Sequence, residues 1–201
     1  MSPSPKMNFL QGLVICHGKS EWQMSRYIST NLHLNIKSYA KNQGKHSIQI
    51  TSLMSILNSK PFSNISSFAA EYSVEVKGKG SAKILQNFQM FIIMDTDDCT
   101  EAQKQDFISK KMFQDHWLYD YIIPIYSIKS LEDVLLDSGI MVRRIGNKEK
   151  GTYYARIFPI NTKPLCDDTI LEIHTLKKQL SKSKRSNLTE FIDYCLSLVK
   201  K

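Results

Sequence analysis

Three aspartates crowd into Asp95-Thr96-Asp97-Asp98, directly after the apolar run Phe91-Ile92-Ile93-Met94. Carboxylates this close repel one another. Burying one without a partner is costly, so the cluster calls for water, a basic group or a divalent cation. Mg²⁺ favours such oxygen donors. A second polar cluster, His17-Gly18-Lys19-Ser20-Glu21, follows another apolar run, Leu13-Val14-Ile15-Cys16. There Glu21 adds a carboxylate, and His17 adds a neutral nitrogen donor suited to a softer ion such as Mn²⁺. Cations held by such groups polarise a phosphate and lower the pKa of a bound water, which is the chemistry of metal-assisted phosphoryl transfer. Each group also has a structural alternative. The aspartates can be an acidic turn before a helix capped by Thr100 and Gln103, His17 a turn histidine bonded to backbone, and Glu21 a first-turn carboxylate favoured by the helix dipole.

These residues need strands to place them. Uninterrupted apolar runs of this length mark strands covered on both faces, as in parallel α/β sheets, which bind ligands at the carboxyl ends of their strands. Residues 11–16 predict one such strand, followed by a tight turn and a helix from Ser20 to Asn31 with Ser20 and Gln23 at capping-box spacing. Residues 35–40 predict an edge strand, 47–57 a helix stopped by Pro61, and 65–72 a helix. Residues 74–81, with Gly78 and Gly80 between lysines, predict a loop, and 82–89 a helix. After the acidic strand comes a helix from Glu101 to about Phe113, with Phe107, Ile108 and Met112 facing inward. Residues 119–126 predict a strand, and Pro124 within it argues for an edge or for a bend near its end. A helix over 130–136 closes at Gly139 in a left-handed cap. Residues 153–158, 169–180 and 188–199 are all helical in spacing. The expected fold is α/β, a mainly parallel sheet flanked by helices over residues 8–145, with a C-terminal helical annex over 146–201 packed on the same domain.

Composition sets outer bounds. At 201 residues, 42% apolar and 23% charged, the chain suits one globular domain, and it holds no apolar run long enough to cross a bilayer. The polar stretch Met1 to Lys6 and the short apolar run after it do not make a signal peptide, so a cytoplasmic protein with no membrane partner is expected. Cys16, Cys99, Cys166 and Cys195 are too scattered for a zinc site or a disulfide framework, and small buried hydrophobes are the expected role. The net charge of +8 and pI near 9.2 favour a polyanion, DNA or RNA. Lys19, Lys77, Lys79, Lys83, Lys177 and Lys178 are the candidate contacts, the last two in a cluster continued by Lys182, Lys184 and Arg185. Gly18-Lys19-Ser20 is not a P-loop, because the glycine required five residues before Gly18 is Leu13.

The pairing of His17-Gly18-x-x-Glu21 with Asp95-x-Asp97 resembles the Toprim domain of topoisomerases, primases and nucleases. It is closest to the small Toprim nucleases related to the OLD family and to RloB. In that family a first strand ends in Glu-Gly with a further Glu three residues after the Gly, and a later strand ends in Asp-x-Asp. The resemblance makes Glu21, Asp95 and Asp97 metal-binding and catalytic. His17 stands where the family has its leading Glu, which leaves open whether His17 ligates metal, Glu21 takes over, or the site is inactive. Leu131-Glu132-Asp133-Val134-Leu135-Leu136 is similar to a later family segment and offers Glu132 as a further metal ligand. Lys148-Glu149-Lys150-Gly151-Thr152-Tyr153-Tyr154 is similar to another, in which Lys150 or Lys148 would offset charge on a phosphate. The resemblance implies a Toprim-like sheet, Mg²⁺ or Mn²⁺ as cofactor, a nucleic-acid substrate, and a place in phage defence or a mobile element. A homodimer or a partner protein is also expected. Two rival readings remain: an inactive Toprim-like binding module, and a haloacid-dehalogenase-like phosphatase using Asp95 and Asp97 with Lys163, Asp167 and Asp168.

Overall fold

Phe91 to Met94 cannot be an amphipathic strand, because every side chain in the run is apolar and alternate residues must face opposite ways. The fold answers with a covered sheet. A computed structural model describes residues 8–161 and 164–199; Lys163 and the Met1 to Lys6 stretch lie outside them. Strands β1 (Gly12–Cys16), β2 (Ile36–Tyr39), β5 (Gln89–Asp95) and β6 (Ile122–Ser127) form a parallel sheet in the order β2-β1-β5-β6. The two chemistry-bearing runs are thus central neighbours, with Ile15 opposite Ile92 and Cys16 opposite Ile93. Phe91 and Ile93 pack to one face with Val14 and Cys16, while Met90, Ile92 and Met94 pack to the other with Leu13 and Ile15.

Helices cover both faces, as right-handed parallel crossovers require. One face carries α1 (Lys19–Asn31), α5 (Leu131–Asp137), α6 (Asn147–Ile157), α7 (Asp167–Leu180) and α8 (Leu188–Leu198). The other carries α2 (Leu53–Leu57), α3 (Ile65–Tyr72) and α4 (Glu101–Ile108). Predicted α/β architecture and helical annex are both present. Phe191 of α8 meets Phe91 with ring centroids 5.1 Å apart, so the annex shares the core of the sheet. No helix among the described residues is long and apolar enough to cross a membrane.

Several local expectations hold for the expected reasons. Thr100 and Gln103 form the capping box of α4, and Gly139 turns at φ +74° after α5. Pro124 lies on an edge strand, where its missing N–H breaks no ladder. Asn187 seals that edge, its side chain accepting from Tyr126 N–H at 2.9 Å and donating to Pro124 O at 3.0 Å.

Other expectations fail. Residues 82–89 are not helical, and 74–81 are not all loop. Val76–Lys77 (β3) pairs antiparallel with Ile84–Leu85 (β4), and the turn between them needs glycine, since a Cβ on Gly78 would meet Ala82 O at 2.1 Å. Leu85 and Phe88 are buried while Ile84 is exposed, a strand pattern too short to read in sequence. The helix expected to reach Phe113 ends at Ile108, because Lys110 adopts φ +63° and a 3₁₀ turn over Lys111–Phe113 packs Phe113 against Phe107. The helix expected over 47–57 is a 3₁₀ turn, Ile50–Ser52, leading into the single turn of α2. Strand β6 starts at Ile122, after a 3₁₀ turn at Tyr119–Tyr121. Cysteines also divide: Cys16 and Cys195 are buried, Cys99 partly so, and Cys166 is exposed.

Candidate functional site: a lysine-rimmed carboxylate cleft

At the carboxyl ends of β1 and β5 a cleft of about 790 Å³ opens between the first turn of α1, the 41–47 connection and α6. Glu21 and Asp95 belong to its lining, with His17 beside them. Glu21 is 2% exposed and Asp95 8%.

Each carboxylate is fixed by a backbone N–H. Gly18, the N-cap of α1, donates to Glu21 Oε2 at 2.9 Å, which replaces the Ser20 and Gln23 capping box expected from the spacing. Leu131, at the start of α5, donates to Asp95 Oδ1 at 2.9 Å. Burial, and next the charge of Glu21, push Asp95 up to about 9. Burial also raises Glu21, against the opposing pull of His17, the Gly18 N–H and Lys150. Tyr154 closes the group. It lines the same cleft and is buried; burial first, then the charges of Glu21, Glu132 and Asp95, raise its phenol.

Glu132 is 8% exposed and already engaged: its Oε1 accepts from Ile145 N–H at 3.1 Å and its Oε2 lies 3.0 Å from Lys150 Nζ. It therefore ties α5 to α6 rather than opening onto the cleft, a correction to its expected place as a ligand. Lys150 and Lys148 do line the cleft, as does Lys19. The Nδ1 of His17 is buried with no hydrogen-bond partner among the described residues.

Asp97 departs from the expected pair. β5 ends at Asp95, and Thr96 pins the chain to the neighbouring turn: its N–H donates to Ser127 O and Lys129 O, and its hydroxyl donates to Ser127 O at 3.1 Å. Asp97 and Asp98 then project outward, exposed and outside the cleft lining, although both charges still contribute to raising Asp95.

The expected nucleic-acid lysines are also divided. Lys77, Lys79 and Lys83 stand exposed on the β3–β4 hairpin, which joins the amino end of β5. Strand β5 separates them from the cleft by about 20 Å at roughly 3.3 Å per residue. Lys177 is paired with Asp193, and Lys178 is exposed in the last turn of α7. Neither lines the cleft.

Sequence reasoning missed Gly44, Lys45, Ser47, Thr152 and Tyr154, all in the lining. Ile48 N–H donates to His17 O at 2.7 Å, which carries the 41–47 connection over the end of β1. Gly44 packs so closely on α1 that a Cβ would lie 2.5 Å from Lys19 Cα. The available cue was the glycine itself.

Among the described residues, no group of three or more His, Cys, Asp or Glu side chains is arranged to hold a metal ion. Mg²⁺ nevertheless is commonly held by one or two carboxylates and completed by waters and substrate phosphates. Glu21 and Asp95, oriented by backbone donors in a cleft with room for a phosphate, fit that smaller donor set. Set beside protein-family models, curated proteins and solved structures, the chain finds no match in any of the three.

Proposed function

We propose that the protein is a divalent-metal-dependent nuclease of Toprim type that hydrolyses phosphodiester bonds in DNA or RNA. The carrying observation is the convergence of Glu21, in the first turn of the helix that follows β1, and Asp95, the last residue of the adjacent strand β5, in a cleft rimmed by Lys19, Lys45, Lys148 and Lys150. The order of the two motifs along the chain, matching the Toprim pattern, supports the same reading. When bound, Mg²⁺ or Mn²⁺ supplies phosphate polarisation and a more acidic water.

The chain's own groups have separate tasks. Lysines of the rim draw the phosphodiester in and offset its charge. Lys150, held by Glu132, contributes a positive charge that partly offsets the burial-driven rise of the Glu21 carboxyl. Gly18 and Leu131 N–H groups fix the two carboxylates, and Tyr154 and Ser20 line the cleft beside them. His17 Nδ1, without a hydrogen-bond partner among the described residues, is a nitrogen suited to join the cation. A role in phage defence or a mobile element follows by analogy with the Toprim proteins it resembles.

The test is incubation with linear, nicked and supercoiled DNA and with RNA, in Mg²⁺ and in Mn²⁺. At least one substrate is cut, and Asp95→Ala abolishes the cutting. The rival reading is a binding module without hydrolysis. It is favoured by Lys150, a lysine of the cleft lining whose positive charge already acts on Glu21. Salt-sensitive binding with no cleavage in either ion would establish it in place of the nuclease. The phosphatase-like alternative is weaker, because Asp167 and Asp168 are exposed on α7 and outside the cleft lining.

A further inference from the structure

Helix α6 carries a second basic surface that adjoins the cleft. Arg143, Lys148, Glu149, Thr152, Tyr153 and Arg156 line a depression of about 380 Å³ on its outer side. Lys148 and Thr152 line both this depression and the cleft, so the two spaces meet across one turn of helix. Residues 149, 152, 153 and 156 follow helical spacing and share one face. Arg156 stacks over Tyr153, its guanidinium 5.0 Å from the ring centroid. Glu149 is the one acidic member, and its charge is met by Arg143 at 3.6 Å. The surface is thus cationic with a half-buried aromatic ring at its centre.

We infer that this face of α6 is a subsite for single-stranded nucleic acid, taking the nucleotide next to the phosphate in the cleft, with its base on Tyr153 and its phosphate between Lys148, Arg143 and Arg156. The inference rests on the nuclease reading for the direction of the strand. Aromatic rings and arginine planes hold unpaired bases of any sequence, because every base has a π face, while a duplex keeps its bases stacked out of reach. The site therefore selects unpaired ends, gaps or displaced strands.

The experiment measures fluorescence anisotropy of labelled oligo-dT, oligo-U and a blunt duplex of equal length, with the full chain in EDTA so that nothing is cut. Single strands bind more tightly than duplex. Tyr153→Leu, which keeps apolar packing but removes the ring, weakens single-strand binding about tenfold, and Tyr153→Phe restores it. Arg156→Gln weakens binding and lowers the salt slope by about one. Unchanged melting temperatures in all three variants show that the effects are local. Wild-type affinity in Tyr153→Leu, preference for duplex, or no oligonucleotide binding by the wild type would each overturn the inference. A cleavage assay run in parallel separates the two readings: variants that bind and cut like wild type remove the subsite and leave the nuclease. Ring-dependent binding without cleavage in any ion removes the nuclease and leaves the subsite.

Discussion

Lys150 Nζ lies 3.0 Å from Glu132 Oε2, and the other oxygen of Glu132 accepts the Ile145 N–H at 3.1 Å. One buried carboxylate thereby fastens the start of α6 to the first turn of α5. Removing it strands a buried backbone donor, which costs about 1–3 kcal/mol. Glu132→Ala is expected to lower unfolding free energy by that amount in urea titrations, whereas Glu132→Gln, which keeps the acceptor for Ile145, loses less. If both variants match wild type, the clamp contributes nothing.

Asp95 carries the clearest pH signature. Burial, and next Glu21, push its folded value up to about 9 from the ordinary 3.8. Because the folded value is raised, the stabilisation linked to its proton is complete below the unfolded value and is lost as pH climbs through the folded one. In EDTA, Asp95→Asn keeps the oxygen facing Leu131 N–H but never ionises. Its melting temperature should exceed that of wild type at alkaline pH, with the gap closing toward acid. Mg²⁺ should do the reverse for wild type, raising the melting point more at about pH 9 than at about pH 6, and should leave the variant unmoved.

His116 responds in the opposite direction. Its Nδ1 accepts from Leu118 N–H at 3.2 Å, so Nε2 carries the proton donated to Leu57 O at 3.1 Å. Burial lowers its folded pKa below the ordinary 6.5, so stability present above that value is lost as pH falls through the folded one. Thermal melts should show an acid-side loss beginning below about pH 6.5, diminished in His116→Gln. An unchanged acid limb in that variant would contradict the assignment.

Gly44 tests the rim. Its φ of +82° and the 2.5 Å approach of a would-be Cβ to Lys19 Cα leave no space for a side chain. Gly44→Ala should push the 41–47 connection off α1, costing more than about 1 kcal/mol and weakening nucleic-acid binding through displaced Lys45. Gly146, where a Cβ would meet nothing within 4 Å, is the control.

Strand positions were legible where the sequence is densely apolar, at Leu13 to Cys16 and Phe91 to Met94, and with them the placement of Glu21 and Asp95 near one another. Asp97 was misplaced because the two-residue spacing assumes that the strand continues. Four hydrogen bonds at Thr96, two from its N–H, one from its hydroxyl and one accepted from Lys129 N–H, end it instead. Lys45 and Ser47 gave no signal, since the 41–47 connection has no periodicity and is held by tertiary contacts with His17 and Lys19. The β3–β4 hairpin was hidden for a similar reason: two-residue strands are specified by partners such as Tyr121, whose hydroxyl accepts the Leu85 N–H, and not by their own pattern.

Floor and rim of the cleft have different origins. Asp95 ends the central strand β5 and Glu21 sits in the first turn of the helix that leaves β1, while much of the basic margin comes from the 41–47 connection and the start of α6. The exposed side chains of Lys45 and Lys148 are therefore the parts of the margin free to vary, while Gly44, Ile145 and Tyr154 are held by packing. Replacing those two side chains would change the charge at the mouth of the cleft while the acid pair beneath keeps its spacing.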